Sequence, residues 1–176
     1  TIARKYISAL KEEGKSIKEM AEAGIRATRM NALFMAEFFG DEANQTLPTN
    51  IKEVKSHLSK NKVVFCGALR YSEKSTSDST AAQIANYLKS PFINMTNVDG
   101  LYSDNPKKNP KAKFIPVISW KEFEKHALSM KFKPGQNFIL DQNASVIIRK
   151  NKIPTYILGE KLENLSKVLE GRKFKG

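Results

Sequence analysis

The stretch Phe92-Ile93-Asn94-Met95-Thr96-Asn97-Val98-Asp99-Gly100-Leu101-Tyr102 constrains this chain more than any other. A helix-like segment, Ala81 to Lys89, precedes it, and Pro91 stops that helix because its ring cannot continue one. A short apolar run with β-branched and aromatic residues follows and turns polar at Thr96-Asn97. Buried parallel strands end in this way, their carboxyl ends delivering polar side chains to a ligand crevice. Asp99-Gly100 is expected to make a sharp exit, because Gly tolerates backbone angles that other residues avoid. Tyr102 then offers a flat ring close to the polar cluster. On pattern alone, a strand ending in an ordinary Asp-Gly turn explains the same residues.

The rest of the chain alternates helices and strands around that stretch. Arg4 to Glu13 reads as a helix closed by Gly14, and Ser16 with Glu19 forms a capping-box pattern for a long helix reaching Gly40. That second helix is rich in Ala, Met and Phe, which predicts a buried helix or one packed on a partner subunit. Asn50 with Glu53 caps a shorter helix to about Leu58, and the apolar run Lys62 to Leu69 predicts a second buried strand. A polar loop, Arg70 to Thr76, leads to a helix from Ser77. Ser119 and Glu122 cap Trp120 to Leu128, a basic loop spans Lys131 to Gln136, and Asp141 caps a helix through Arg149. Thr155 to Leu158 reads as a strand, and Leu162, Leu165 and Leu169 mark the apolar face of a final helix. Strands alternating with helices predict a parallel α/β sheet covered on both faces.

Composition excludes several classes. The chain has 176 residues, enough for one domain with a core, and no segment approaches the apolar length of a membrane span. It opens Thr-Ile-Ala-Arg-Lys without an apolar signal core, so a cytoplasmic location is expected. One cysteine, Cys66, forms neither an internal disulfide nor a zinc cluster and reads as a buried thiol. His57 and His126 lie in separate helix-like stretches without metal-ligand spacing, and no metal ligands are assigned. The net charge of +12 raises nucleic acid as a partner. Its lysines are spread along the chain, with one dense cluster at Lys107, Lys108, Lys111 and Lys113, so a solvated surface that attracts polyphosphate substrates is expected rather than a nucleic-acid groove.

Two loops could carry chemistry. Ser72 to Asp78 joins a buried strand to a helix, where hydroxyls, free amides and the helix dipole favour a phosphate. Ser77 or Asp78 acting as a plain helix cap accounts for it equally well. The other is the Thr96 segment with its continuation, Asn105-Pro106-Lys107-Lys108-Asn109-Pro110-Lys111-Ala112-Lys113. Together these residues closely resemble the nucleotide-binding segment of the amino acid kinase superfamily, and within it the archaeal type of UMP kinase.

The resemblance implies a three-layer αβα sandwich with a mainly parallel sheet, built as a single domain over residues 1–176. It implies transfer of the γ-phosphoryl of ATP to UMP, with Mg2+, by a homo-oligomer, hexamer or dimer. ATP would touch Arg4, Thr96, Asn97, Tyr102 and Asn105. UMP's phosphate would meet Ser75, Thr76 and Ser77, because Thr76-Ser77-Asp78 resembles the family's Thr-Thr-Asp stretch, and Asp78 would orient an active-site lysine. Gly24 through Ala32 resembles the family's long central helix, where packing and subunit contact are expected. The family begins with a strand carrying a lysine and a glycine-rich turn, and has a Gly-Gly-Gly turn just before the position of Thr1. Neither is in this sequence, nor is a final strand after Gly176, so the catalytic lysine is not assigned and residues 1–176 alone are expected to fold poorly. Ala21 stands where the family usually has a ribose-binding aspartate, Asn105 replaces an aspartate, Gln142-Asn143 replaces Pro-Leu, and the loop before Thr76 is longer and lacks Pro-Gly. These departures keep open a sister kinase acting on another small acid or phosphate, and a nucleotide-binding regulator without turnover.

Overall fold

The computed structural model describes residues 2–71, 76–129 and 140–176. The chain forms two compact units, Thr1–Thr80 and Ala81–Gly176. Ser75, expected to meet a phosphate, and the basic loop from Lys131 to Gln136 lie outside the described residues.

In the first unit, α1 (Ile2–Glu12) packs on α2 (Ile17–Phe39), and α3 (Ile51–Leu58) follows a short extended piece. The caps are those written in the sequence. Ser16 Oγ accepts the Glu19 amide at 3.2 Å while the Glu19 carboxylate accepts the Ser16 amide at 2.9 Å, so two orphan donors are satisfied reciprocally. Asn50 accepts the Glu53 amide at 3.0 Å in the same manner for α3. Gly14, with φ of +68°, ends the first helix as expected.

The run Lys62 to Leu69 corrects the expectation of a second strand: it joins no strand ladder among the described residues and shares one parallel bridge, Ala43 with Val63. Its side chains are half-buried from Val63 through Leu69. A buried side chain takes the place of a strand neighbour. Asn44 Nδ2 donates to the Phe65 carbonyl at 2.9 Å, and its Oδ1 accepts the Phe65 amide at 2.7 Å. An amide side chain has both a donor and an acceptor and so reproduces a backbone pair. Cys66 is half-buried here, and burial pushes its thiol pKa up, as suits a structural thiol.

In the second unit, β1 (Phe92–Met95) and β2 (Thr155–Leu158) form a two-stranded parallel sheet, with Phe92 opposite Thr155 and Met95 opposite Leu158. A parallel pair needs a long crossover, which α5 (Trp120–Ser129) and α6 (Gln142–Asn151) supply. The core joins Phe92 and Ile157 from the strands with Phe123 of α5, Ile148 of α6, Leu101, Leu140 and Ile153, and with Ala82 and Ala85 of α4 (Ser77–Leu88). Each fully buried aliphatic side chain contributes about 1.5–3 kcal/mol. Asp141 caps α6 by accepting the Ala144 amide at 2.9 Å, and Ser119 caps α5 by accepting the Glu122 amide at 3.3 Å. The final helix, α7 (Leu162–Leu169), departs from its expected apolar face: Leu165 is half-buried, but Leu162 and Leu169 are exposed.

Candidate functional site

The first unit contains a cavity of about 330 Å³, within the range of small-molecule sites. Ala3 of α1, Ala21 and Thr28 of α2, the segment Ala68 to Tyr71, and Thr76, Ser77 and Thr80 line it. Two of the residues expected to hold the acceptor phosphate are therefore in one wall, and Ala21, the departure expected to matter for the acceptor, is in another. The sequence reading missed Arg70 and Tyr71; the polar character of the stretch after the apolar run was the signal available.

The Ala68 to Tyr71 wall is fixed by α2. Gly67 has φ of +57°, a region that side chains rarely adopt, and a Cβ there would lie 2.8 Å from the Thr28 carbonyl oxygen and 2.9 Å from Arg29 Cα. With no side chain in the way, the turn presses directly on the helix. Thr28 Oγ1 accepts the Ala68 amide at 3.2 Å, and Arg29 binds three carbonyls: Pro48 at 2.7 Å, Leu47 at 3.1 Å and Ala68 at 3.2 Å. The Arg70 amide donates to the Thr49 carbonyl at 3.2 Å. Thr49 is in turn held by Glu53, whose carboxylate accepts its amide at 2.6 Å. That bond is the largest cause of a lowered Glu53 pKa, with the Thr49 hydroxyl next.

At the start of α4 the cap is neither Ser77 nor Asp78 but Thr76. Thr76 Oγ1 accepts the Ser79 amide at 3.1 Å, and Ser79 Oγ accepts the Thr76 amide at 2.9 Å, a reciprocal box with serine in the usual glutamate position. The Thr76 hydroxyl thus shapes the helix start, and Ser77 beside it lines the cavity. Asp78 is half-buried in that first turn. Arg4 is exposed on α1, next to the lining residue Ala3.

Thr96, Asn97, Tyr102 and Asn105 belong to the second unit. The Thr96 amide donates to the Leu158 carbonyl at 2.7 Å, adding a rung beyond the ladder, and Asn97 is exposed immediately after it. The chain bends over residues 97–100 as expected, but Gly100 does not use a positive φ to do so; it is needed for close approach, since a Cβ would lie 2.9 Å from both Phe114 Cε2 and the Gly176 carbonyl carbon. The Tyr102 ring packs edge-on against Phe114, with centroids 5.3 Å apart. Asn105 organises the following loop: its Oδ1 accepts the Lys107 amide at 2.9 Å, and Asn109 Oδ1 repeats the arrangement for Lys111 at 2.9 Å. Asp99 pairs with Lys175 at 2.8 Å, and that hydrogen bond lowers the Asp99 pKa and raises that of Lys175. Among the described residues, no group of three or more His, Cys, Asp or Glu side chains could hold a metal ion. No helix among them is long and apolar enough to cross a membrane.

Comparison with known proteins extends the picture. The profile of the amino acid kinase family matches residues 2–159. The uridylate kinase of Pyrobaculum neutrophilum is 36% identical over 172 residues, spanning 97% of this chain and 77% of the relative. That of Methanocaldococcus jannaschii is 32% identical over 179 residues, spanning 99% and 78%. The crystal structure of uridylate kinase from Archaeoglobus fulgidus superposes with a TM-score of 0.85 at 33% identity, covering 97% of this chain and 76% of that one.

Proposed function

The chain belongs to the amino acid kinase family, with that family's α/β fold, and from this premise we propose that it is an ATP-dependent UMP kinase, moving the γ-phosphoryl of ATP to UMP to give UDP. The observation that carries the reading is the cavity in which Ser77 and the start of α4 meet the Ala68 to Tyr71 wall. Its volume, about 330 Å³, suits a nucleoside monophosphate, and helix-start amides favour the acceptor's phosphate.

Phosphoryl transfer asks little covalent chemistry of a protein; positioning and charge neutralisation lower the barrier. Ser75, Thr76 and Ser77 hold the acceptor phosphate in this reading, Thr76 by setting the helix start. Asp78 keeps a catalytic cation in line. Arg4, Thr96, Asn97, Tyr102 and Asn105 take ATP. Mg2+ travels with the ATP phosphates, as is usual for an ion that keeps several waters and needs no all-protein cage. Exposed Leu33, Phe34 and Phe38 on α2 support self-association, as a dimer or hexamer, and the setting proposed is cytoplasmic. Ala21 in the cavity wall favours a second reading, a sister kinase with a different small acid or phosphate acceptor.

Turnover of the full-length protein with ATP and UMP, CMP, dUMP or unrelated small acids separates the two. The proposal expects UMP to give the highest kcat/KM; a clear preference for a non-nucleotide acceptor overturns it.

A further inference from the structure

We propose that Arg70 supplies the positive charge that neutralises the acceptor's phosphate, an inference that rests on the UMP kinase reading. Arg70 is the one charged residue among the described residues lining the cavity. The other polar lining groups are neutral: Thr28, Tyr71, Thr76, Ser77 and Thr80. A phosphate monoester carries up to two negative charges, and burying them among neutral groups is costly unless a cation pairs with them. A helix start offers hydrogen bonds and only about half a unit of charge. A guanidinium supplies a full charge and a planar fork that matches phosphate oxygens.

The position of Arg70 is also prepared. Its amide is fixed to the Thr49 carbonyl at 3.2 Å, and the residue two places before it is fixed to α2 through Thr28 and Arg29. The guanidinium forms no ion pair with the described residues. Glu53, whose pKa Arg70 helps to lower as the last of several causes, accepts hydrogen bonds from the Thr49 amide at 2.6 Å and from Asn50 Nδ2 at 2.6 Å. Among the described residues, no ion pair takes up the Arg70 charge, and the residue lines the cavity wall. Arg70 and Tyr71 open the loop before Thr76 that departs from the family's pattern, and the resemblance assigns them no role.

The test is Arg70→Gln and Arg70→Lys in the full-length protein, with steady-state kinetics and calorimetric titration of UMP and of uridine, its phosphate-free counterpart. The expected result for Arg70→Gln is a rise in the KM for UMP of about 10- to 100-fold, the loss expected for a hydrogen bond between charged groups. The KM for ATP and the affinity for uridine should stay the same, and the melting temperature should hold. Arg70→Lys should recover part of the UMP affinity, because it restores the charge without the fork. If Arg70→Gln prefers UMP over uridine as strongly as the unmodified protein does, Arg70 is not the neutralising group. If the unmodified protein neither binds nor phosphorylates UMP, the UMP kinase reading itself fails, and this one with it.

Discussion

The Ala68 to Tyr71 wall of the cavity and the Thr96 to Asn105 segment both leave an extended apolar run and end in polar residues, yet different forces hold them. The second is the end of a strand: β1 and β2 share a parallel ladder, its last rung runs from Thr96 to Leu158, and a core of Phe92, Ile148 and Ile157 lies behind it. The first has no ladder among the described residues. Side chains that bind backbone hold it instead: Asn44 on Phe65, Thr28 on Ala68, and Arg29 on three carbonyls. A strand end is supported by many small apolar contacts, whereas a clamped loop depends on a few polar groups whose loss leaves buried carbonyls unsatisfied. The stability of the two regions and their effect on substrates should therefore separate under mutation.

The largest effect is expected behind the strand end. Ile148 is 0% exposed, and Ile148→Ala should cost about 2–5 kcal/mol by lost burial and a cavity. Denaturant titration measures the loss, and the surviving folded enzyme should keep its KM for UMP. Arg29→Ala comes next, at about 2–4 kcal/mol, because Leu47, Pro48 and Ala68 each lose a charged donor. Unlike the core variant, it should also raise the KM for UMP while sparing that for ATP. A normal KM for UMP in Arg29→Ala would break the distinction between the regions. Gly67→Ala should cost about 1–3 kcal/mol, since it places a methyl 2.8 Å from the Thr28 carbonyl at a positive φ. Its kinetic signature should match that of Arg29→Ala.

Acidity gives the smallest effect and touches both regions. Glu53 has a lowered pKa chiefly from the Thr49 amide, and Asp99 chiefly from Lys175. A carboxylate whose folded pKa lies below its unfolded value stabilises the fold above the unfolded value, near 4. That contribution is lost as pH falls through the folded pKa. Thermal melts should thus hold steady from neutral pH to about 5 and decline below about 4. Glu53→Gln should make the decline shallower.

Much of this was legible in the sequence. The caps at Ser16, Asn50, Ser119 and Asp141 each follow from a side-chain oxygen placed three residues before an orphan amide, a local rule that needs no tertiary context. Both strands of the sheet were readable because their apolar runs end in turn residues. The Lys62 to Leu69 run has the same pattern, and what makes it different is Asn44, distant in sequence and buried against Phe65. The reason for Gly100 was hidden in a related way: its neighbour is Gly176 at the far end of the unit, a contact no local pattern encodes. The helix start after the polar loop was readable by type, but the choice of Thr76 as cap depended on Ser79, where a glutamate or glutamine is the usual partner. Arg70 and Tyr71 read only as the beginning of a polar loop, because their place in the cavity wall depends on Gly67 pressing against α2.

If the first unit's cavity holds the acceptor's phosphate at the start of α4, the doubly substituted Thr76→Ala/Ser77→Ala enzyme should show it. Loss of the Thr76 cap should cost about 1 kcal/mol of stability, which a melt records separately. In steady-state assays of the folded variant, the KM for UMP should rise at least about tenfold while the KM for ATP stays unchanged. An unchanged KM for UMP, or equal losses for UMP and ATP, would contradict it.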